Sequence, residues 1–343
     1  MLVYVDDFLL MASDMTWIVK LKELFKTNFQ IKEIGAAKHI IGVQFERLGT
    51  DSIYIGQPAY AEKLLREFDM WETEINGVTI PIKHKSTPMV VGWTHNDSSP
   101  KLSREMHSRY RTCIMSLMYL VTNSRPDMMY ATCLLSQFQV SPTEHDWDAA
   151  MYILRYLRGT YDYGLVYTKA NITGRLFSAD GDLMSWVEQS TVMYADAGWA
   201  QEKQRRSRSG FVFMCCGAAL TWFCKVQPVI SLSSTESELY ALSDAVRDVI
   251  WLRQFLEELG ISFKDATVVY QDNKSTIAVA VNPVNHKMTK HIAVRTFHFR
   301  EQLELKRIII IYCPTDEMLA DGMTKALPPK PHTKQTEQMG LRS

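Results

Sequence analysis

The sequence predicts a multidomain chain of mixed α/β and α+β class, with a mixed five-stranded sheet and flanking helices in its C-terminal part. Three observations lead there. Five short apolar runs, at 192–196, 209–215, 218–224, 267–271 and 307–312, have strand length and strand composition. Helical patterns at about 234–258, 274–282, 290–306 and 316–325 alternate with the later runs. That order puts hairpins first and a crossover later, so one sheet must hold antiparallel and parallel neighbours. Upstream the pattern differs, with successive helical patterns at Ser103–Tyr119, Pro126–Phe138 and Pro142–Arg158. A length of 343 residues allows two or three domains.

The chain opens on two apolar runs around Asp6 and Asp7, which predict a hairpin with both carboxylates at its tip. A lone hairpin is marginal in water, so sheet neighbours upstream are expected to be missing. Trp17, Ile18, Leu21, Leu24 and Phe25 recur at helical spacing, with Asp14 as the cap. Ile40–Arg47 predicts a strand with Gly42 inside it, and Ile53–Ile55 another. Gln57–Met70 predicts a helix with Pro58 in its first turn. Residues 76–103 interleave Pro81, Pro88 and Pro100 with small polar residues and are expected to be a linker. A weaker boundary falls at 168–190. After Leu327 the chain has three prolines and no apolar periodicity, and a disordered tail is expected. The expected domains are 1–85, 86–190, 191–327 and a tail at 328–343.

Lys+Arg and Asp+Glu both number 38, so the formal net charge is zero. This excludes a uniformly basic nucleic-acid binder and leaves phosphate contacts to local patches and bound metal. The six cysteines show no paired zinc spacing, and the adjacent Cys215-Cys216 lies in an apolar strand where packing is the simpler role. A reducing compartment fits them. No apolar run reaches the ~18 residues of a membrane helix. The acidic N-terminus does not suit a signal peptide. An intracellular protein of cytoplasm or nucleus is expected, not a secreted one.

Four acidic residues stand at the ends or beginnings of separate elements. Asp196 ends the first strand, in Tyr194-Ala195-Asp196-Ala197-Gly198-Trp199. Glu238 lies early on the long helix, Asp272 at the end of the fourth strand, and Asp321 near the start of the last helix. Any one of them alone is a turn or cap residue. Together they repel unless they share positive charge, which points to a pair of Mg²⁺ ions about 4 Å apart gripping a phosphate. Mn²⁺ is an expected substitute. Glu236 has a simpler role as a helix N-terminal acid behind Ser234 or Thr235, so Glu238 is the better ligand. Asp180-Gly181 resembles a strand-end acid but is not followed by further strands.

Lys203, Arg205, Arg206 and Arg208 form a basic loop between the first two strands of the sheet. It is either a solvated hairpin tip or a loop that contacts phosphates without reading bases. Lys287, Lys290, His291 and Arg295 make a second basic cluster near Asp272. His286, His291 and His298 lack metalloprotease-like spacing. Trp222, Phe223 and Trp251 are expected in the core.

At this point several motifs resemble the C-terminal part of the Pol polyprotein of copia-type LTR retrotransposons, from residue 1 to about 328. They are Tyr4-Val5-Asp6-Asp7, Ala37-Lys38-His39-Ile40-Ile41-Gly42-Val43, Ser86-Thr87-Pro88-Met89, Ser116-Leu117-Met118-Tyr119-Leu120, Ser124-Arg125-Pro126-Asp127 and Ile153-Leu154-Arg155-Tyr156-Leu157-Arg158-Gly159-Thr160. Further on come Ala195-Asp196-Ala197-Gly198-Trp199-Ala200, Ser233-Ser234-Thr235-Glu236-Ser237-Glu238-Leu239-Tyr240, Gln271-Asp272-Asn273-Lys274-Ser275 and Leu319-Ala320-Asp321-Gly322-Met323-Thr324-Lys325.

The resemblance implies a ribonuclease H-like domain with its mixed five-stranded sheet, preceded by a truncated reverse transcriptase palm and thumb and a helical connection. It implies that Asp6 and Asp7 are two of three polymerase metal ligands, the third lying upstream of this chain, so that primer extension by the chain alone is not expected. It implies that Asp196, Glu238, Asp272 and Asp321 are the ribonuclease H ligands for two Mg²⁺. The implied partner is an RNA–DNA hybrid, sensed through 2′-hydroxyls and groove shape, along with upstream Pol segments and no membrane. Gly198 stands where the family usually has another acidic residue. The alternative is an inactive retroelement remnant that binds nucleic acid weakly.

Overall fold

The order of elements follows the apolar runs closely from 191 to 312 and departs from them at two places upstream and in the tail. The structure, a computed structural model, describes residues 1–12, 14–75, 78–169, 191–261, 263, 265–282 and 290–343. The first elements are β1 (Leu2–Tyr4) and β2 (Asp7–Leu9), an antiparallel pair with Tyr4 opposite Asp7. Helix α1 (Met15–Asn28) is capped by Asp14, whose side chain accepts from the Thr16 amide at 2.8 Å. No residue of α1 is buried. Its contact with the hairpin includes Phe25 against Phe8, with ring centroids 5.3 Å apart.

The single strand expected over 40–47 is two strands, β3 (His39–Ile40) and β4 (Val43–Leu48). Ile41 and Gly42 between them take φ of 50° and 68°, the paired left-handed values of a tight hairpin turn. Gly42 therefore reverses the chain rather than extending it. Next come β5 (Ser52–Gly56), α2 (Pro58–Glu67) with its proline in the first turn, and a small hairpin of β6 (Glu72–Ile75) and β7 (Val78–Pro81). The last of these intrudes on the stretch expected to be linker.

The helical module is α3 (Arg104–Asn123), a short 3-10 turn at Pro126–Met128, α4 (Met129–Ser136) and α5 (Glu144–Gly159). Thr143 and Asp146 form a reciprocal capping box at the start of α5. Arg125 is fully buried and forks onto Asp127 at 2.9 and 2.7 Å, while its third nitrogen reaches the Thr160 carbonyl at 2.6 Å. Tyr156 donates to the same Asp127 carboxylate at 2.7 Å. A buried charge is tolerated only with such complete pairing, so Ser124-Arg125-Pro126-Asp127 is a packing motif that ties the ends of two helices together.

After β8 (Gly164–Thr168) the chain continues with β9 (Val192–Gly198), β10 (Arg208–Cys215), β11 (Ala218–Val226), α6 (Ser234–Glu258), β12 (Thr267–Gln271), α7 (Lys274–Val281), α8 (Lys290–Glu304), β13 (Ile308–Tyr312), α9 (Asp321–Thr324), α10 (Pro329–Gln338) and β14 (Leu341–Arg342). The first sheet has the order β11-β10-β9-β12-β13, antiparallel across its first three strands and parallel across its last three. This is the mixed five-stranded sheet expected. Helix α6 covers one face, burying Leu239, Leu242, Val246 and Val249 against Met193, Ala195 and Phe213. On the opposite face Val212 and Met214 join the core of the helical module.

The second sheet runs β14-β8-β5-β4-β3. It draws strands from both sides of the expected boundary at 85/86 and from the tail. The tail was expected to be disordered, and it is not. His332, Gln335, Thr336, Met339 and Leu341 are buried, and β14 pairs with β8. Gly340 takes φ of +81°, and a Cβ there would meet Ala218 at 2.6 Å. Too few apolar residues occur to make a periodic pattern, yet two of them suffice to close an edge and plug a core that the rest of the chain leaves open. Trp251 is a further correction, since it is 54% exposed and stacks on Phe255 at the surface of α6.

Leu341→Ala should lower unfolding free energy by about 2–4 kcal/mol, the usual cost of emptying a buried leucine site. Urea denaturation of the full chain checks this, and an unchanged midpoint would mean that the tail does not dock.

Candidate metal centre

Strand β9 is the central strand of the first sheet and runs two residues past Asp196. Alternation along it turns Met193, Ala195 and Ala197 one way and Tyr194 and Asp196 the other. Asp196 pairs in register with Gly210 on β10. A Cβ on Gly210 would lie 2.6 Å from Met323 Cβ and 2.8 Å from Thr324 Cγ2. The missing side chain thus lets α9 lie directly against the sheet beside Asp196, and the Thr324 hydroxyl donates to Asp196 Oδ2 there.

Glu238 sits in the first turns of α6. The cap is Ser233, not Ser234 or Thr235, and its hydroxyl accepts from the Glu236 amide at 3.2 Å. Glu236 folds back to accept from the Leu232 amide at 2.6 Å, which leaves Glu238 as the inward acid. Gln271, fully buried at the end of β12, donates to Glu238 at 3.4 Å. Asp272 follows it and accepts from the Thr315 hydroxyl at 2.9 Å. Asp321 opens α9, with one oxygen 2.9 Å from Lys325 Nζ. Its other oxygen, Oδ1, is buried without a hydrogen-bond partner.

One oxygen from each of Asp196, Glu238 and Asp272 lies within 4.8 Å of the others. Asp321 stands outside this trio but acts on it electrostatically. Burial, and then the Asp321 charge, push the Asp196 carboxyl up to about 7. Burial and the charges of Asp196 and Asp272 hold Glu238 well above the usual carboxylate range. Burial also raises Asp321, against the pull of Lys325. The Lys325 ammonium, despite burial, is held above its usual value by the Asp321 hydrogen bond. Carboxylates strained upward together with an orphaned buried oxygen fit a hard divalent cation, which prefers oxygen ligands. Thr315, Thr324, Gln271 and Lys325 were missed in the sequence. Only Lys325 left a usable signal there, its i,i+4 spacing from Asp321.

The basic residues expected to touch phosphate divide. Arg208 does not face solvent. It is 1% exposed, paired with Glu202 at 2.6 Å, bonded to Cys224 Sγ at 3.2 Å and laid over the Tyr130 ring. Its place inside strand β10, rather than in the loop, turns it inward. Arg205 is exposed and Arg206 half-buried, and Lys203 starts the 3-10 turn with Arg205. Lys287 and His286 lie outside the described residues, as does Asp180-Gly181. Lys290 and His291 open α8, but their side chains are outside the described set. Arg295 is drawn onto α6, 2.8 Å from Asp244 and over the Tyr240 ring. Asp6 and Asp7 are exposed at the turn of the first hairpin, and the group of converging acids does not include them. Gly198 would place a Cβ 3.2 Å from the Thr324 carbonyl.

A family model described as "Reverse transcriptase (RNA-dependent DNA polymerase)" matches residues 1–84. The chain is 31% identical over 359 residues to the retrovirus-related Pol polyprotein from transposon TNT 1-94 of Nicotiana tabacum, covering 100% of this chain and 24% of that protein. It is 31% identical over 334 residues to the Pol polyprotein from transposon RE1 of Arabidopsis thaliana, covering 95% of this chain and 20% of that one. The chain belongs to the Pol polyprotein family of copia-type retrotransposons. This Pol chain spans about a quarter or less of the length of these curated relatives. Among solved structures it is similar to LC11-RNase H1 in complex with an RNA/DNA hybrid, at TM-score 0.31 and 16% identity, covering 39% of this chain and 93% of that one. Among the described residues, no helix of the Pol chain is long and apolar enough to cross a membrane.

Folded Asp196 releases its proton near pH 7, against 3.8 for an ordinary aspartate. Between those values the folded chain holds more protons than the unfolded chain, so this group's stabilisation is complete below about pH 4 and lost as pH rises through about 7. Metal-free protein should therefore melt lower at pH 8 than at pH 6, and added Mg²⁺ should abolish that difference. Differential scanning calorimetry with and without chelator reads both effects.

Proposed function

We propose that residues 191–327 form a ribonuclease H-like domain that hydrolyses the RNA strand of RNA–DNA hybrids. The observation that carries this is the convergence of Asp196, Glu238 and Asp272 from a strand, a helix and a strand end, with Asp321 beside them. Two Mg²⁺ ions held there would supply an activated water and charge to stabilise the leaving 3′ oxygen. Asp196, on the central strand and held by the Thr324 hydroxyl, would contribute its carboxylate to holding them. Glu238 and Asp272 flank it, oriented by neutral donors (Gln271 and the Ala197 backbone for Glu238, Thr315 for Asp272), and Asp321 offers its free Oδ1. Those neutral donors fix each carboxylate without adding charge that would compete with a cation.

In this reading Arg205 and Arg206 touch backbone phosphates of the hybrid, and Arg208 holds their loop in place from behind. The match over 1–84 supports assigning Asp6 and Asp7 to the polymerase part of the polyprotein, with 86–190 as the connection between the two activities. The second sheet crosses the boundary at 85 by pairing β5 with β8.

The purified chain should cleave the RNA strand of a labelled hybrid in Mg²⁺. Asp196→Asn should lower the rate by at least ~100-fold, given the several kcal/mol that metal charge contributes to such transition states. Equal cleavage by both proteins would remove Asp196 from the site. Arg205→Ala should weaken hybrid binding and flatten its salt dependence by about one counterion, which a filter-binding salt titration measures.

A further inference from the structure

The acidic centre contains an ammonium group with no assigned role. Lys325 Nζ lies 2.9 Å from Asp321 Oδ2, and its charge also acts on Asp196 and Asp272. Among the described residues it makes the one ion pair to any of the four carboxylates. Its side chain is 39% exposed, so it is anchored in the site but open to solvent on one side. Its neighbour Thr324 is buried and bonds to Asp196. The short α9 segment therefore brings a carboxylate, a hydroxyl and a cation to one spot.

A cation on Asp321 Oδ2 takes up ligand capacity that a metal would need and repels a metal nearby. The same cation offsets the repulsion among the carboxylates when no metal is bound. We propose that Lys325 is the built-in counter-cation of this centre: its ammonium stands in for metal charge in the metal-free protein and gives up Asp321 when a divalent ion binds. Metal occupancy is then set by competition with the lysine, and the centre stays folded without metal. This rests on reading the four carboxylates as a metal site.

The test compares the full chain with Lys325→Met, which keeps length and loses charge, and Lys325→Arg, which keeps charge. Mn²⁺ binding is followed by electron paramagnetic resonance, and melting is followed with and without Mn²⁺. Lys325→Met should bind Mn²⁺ about tenfold more tightly, melt lower than the parent without metal, and match it when Mn²⁺ is saturating. Lys325→Arg should stay near the parent. In the unmodified chain, acylation of Lys325 read by mass spectrometry should rise several-fold when Mn²⁺ is added, which needs no variant to fold. Unchanged or weaker Mn²⁺ binding by Lys325→Met, or metal-independent acylation, overturns the proposal. Hybrid cleavage by the parent is scored separately. Cleavage without competition sinks only the lysine's role, and competition without cleavage sinks only the ribonuclease reading.

Discussion

Repulsion among carboxylates gathered at the middle of one sheet is the constraint to which the surrounding structure answers. Asp196 cannot be moved aside, because β9 is central and pinned by β10 and β12. The neighbours instead arrange to tolerate its charge. Gly210 gives up its side chain so that α9 can approach, Thr324 donates a hydroxyl, and Lys325 brings a cation. Gln271 and Thr315 supply neutral donors to Glu238 and Asp272. Groups left with raised proton affinity at neutral pH are costly in a folded protein unless something else binds there.

The same sheet has a second dependence, on the helical module. Val212, Met214 and Cys224 contribute to the core that also holds α3, α4 and α5. Trp222 donates from β11 to the Val121 carbonyl of α3 at 2.6 Å. Arg208 crosses in the same direction, from β10 to the Tyr130 ring of α4. The acidic centre is thus braced by helices that carry none of its carboxylates. The tail completes the brace. His332 lies 3.2 Å from the Asp127 carbonyl, and the Met339 carbonyl accepts from Ala219 at 2.9 Å, so α10 and the residues after it link the helical module, the first sheet and the second.

The N-terminal segment contrasts with this. Its hairpin and α1 leave Leu2, Val3, Tyr4, Phe8, Trp17 and Leu24 about half exposed. These are the residues on which the reverse transcriptase family match rests in part. Local pattern was enough to form the hairpin and the helix, with Asp14 as cap, although the segment buries little.

Much of this protein was legible in its sequence because the signals are local. Five β-strands and α6 of the first sheet lie at their expected positions, since apolar period and capping chemistry need only near neighbours to act. The choice of Glu238 over Glu236 also came from local logic, the latter being used by the helix cap. What the sequence could not determine was set by contacts between distant segments. Gly42 is a turn residue because β3 and β4 pair. Arg208 points inward because β10 begins one residue earlier than the apolar run and Glu202 waits for it. The tail folds because β8 offers an open edge and Asp127 a free carbonyl, neither of which is visible from residues 328–343. Lys325 enters the acidic centre for a related reason: its pairing with Asp321 is local, but Asp196 and Asp272 are brought near it by other elements, and a field of that kind exists only in three dimensions.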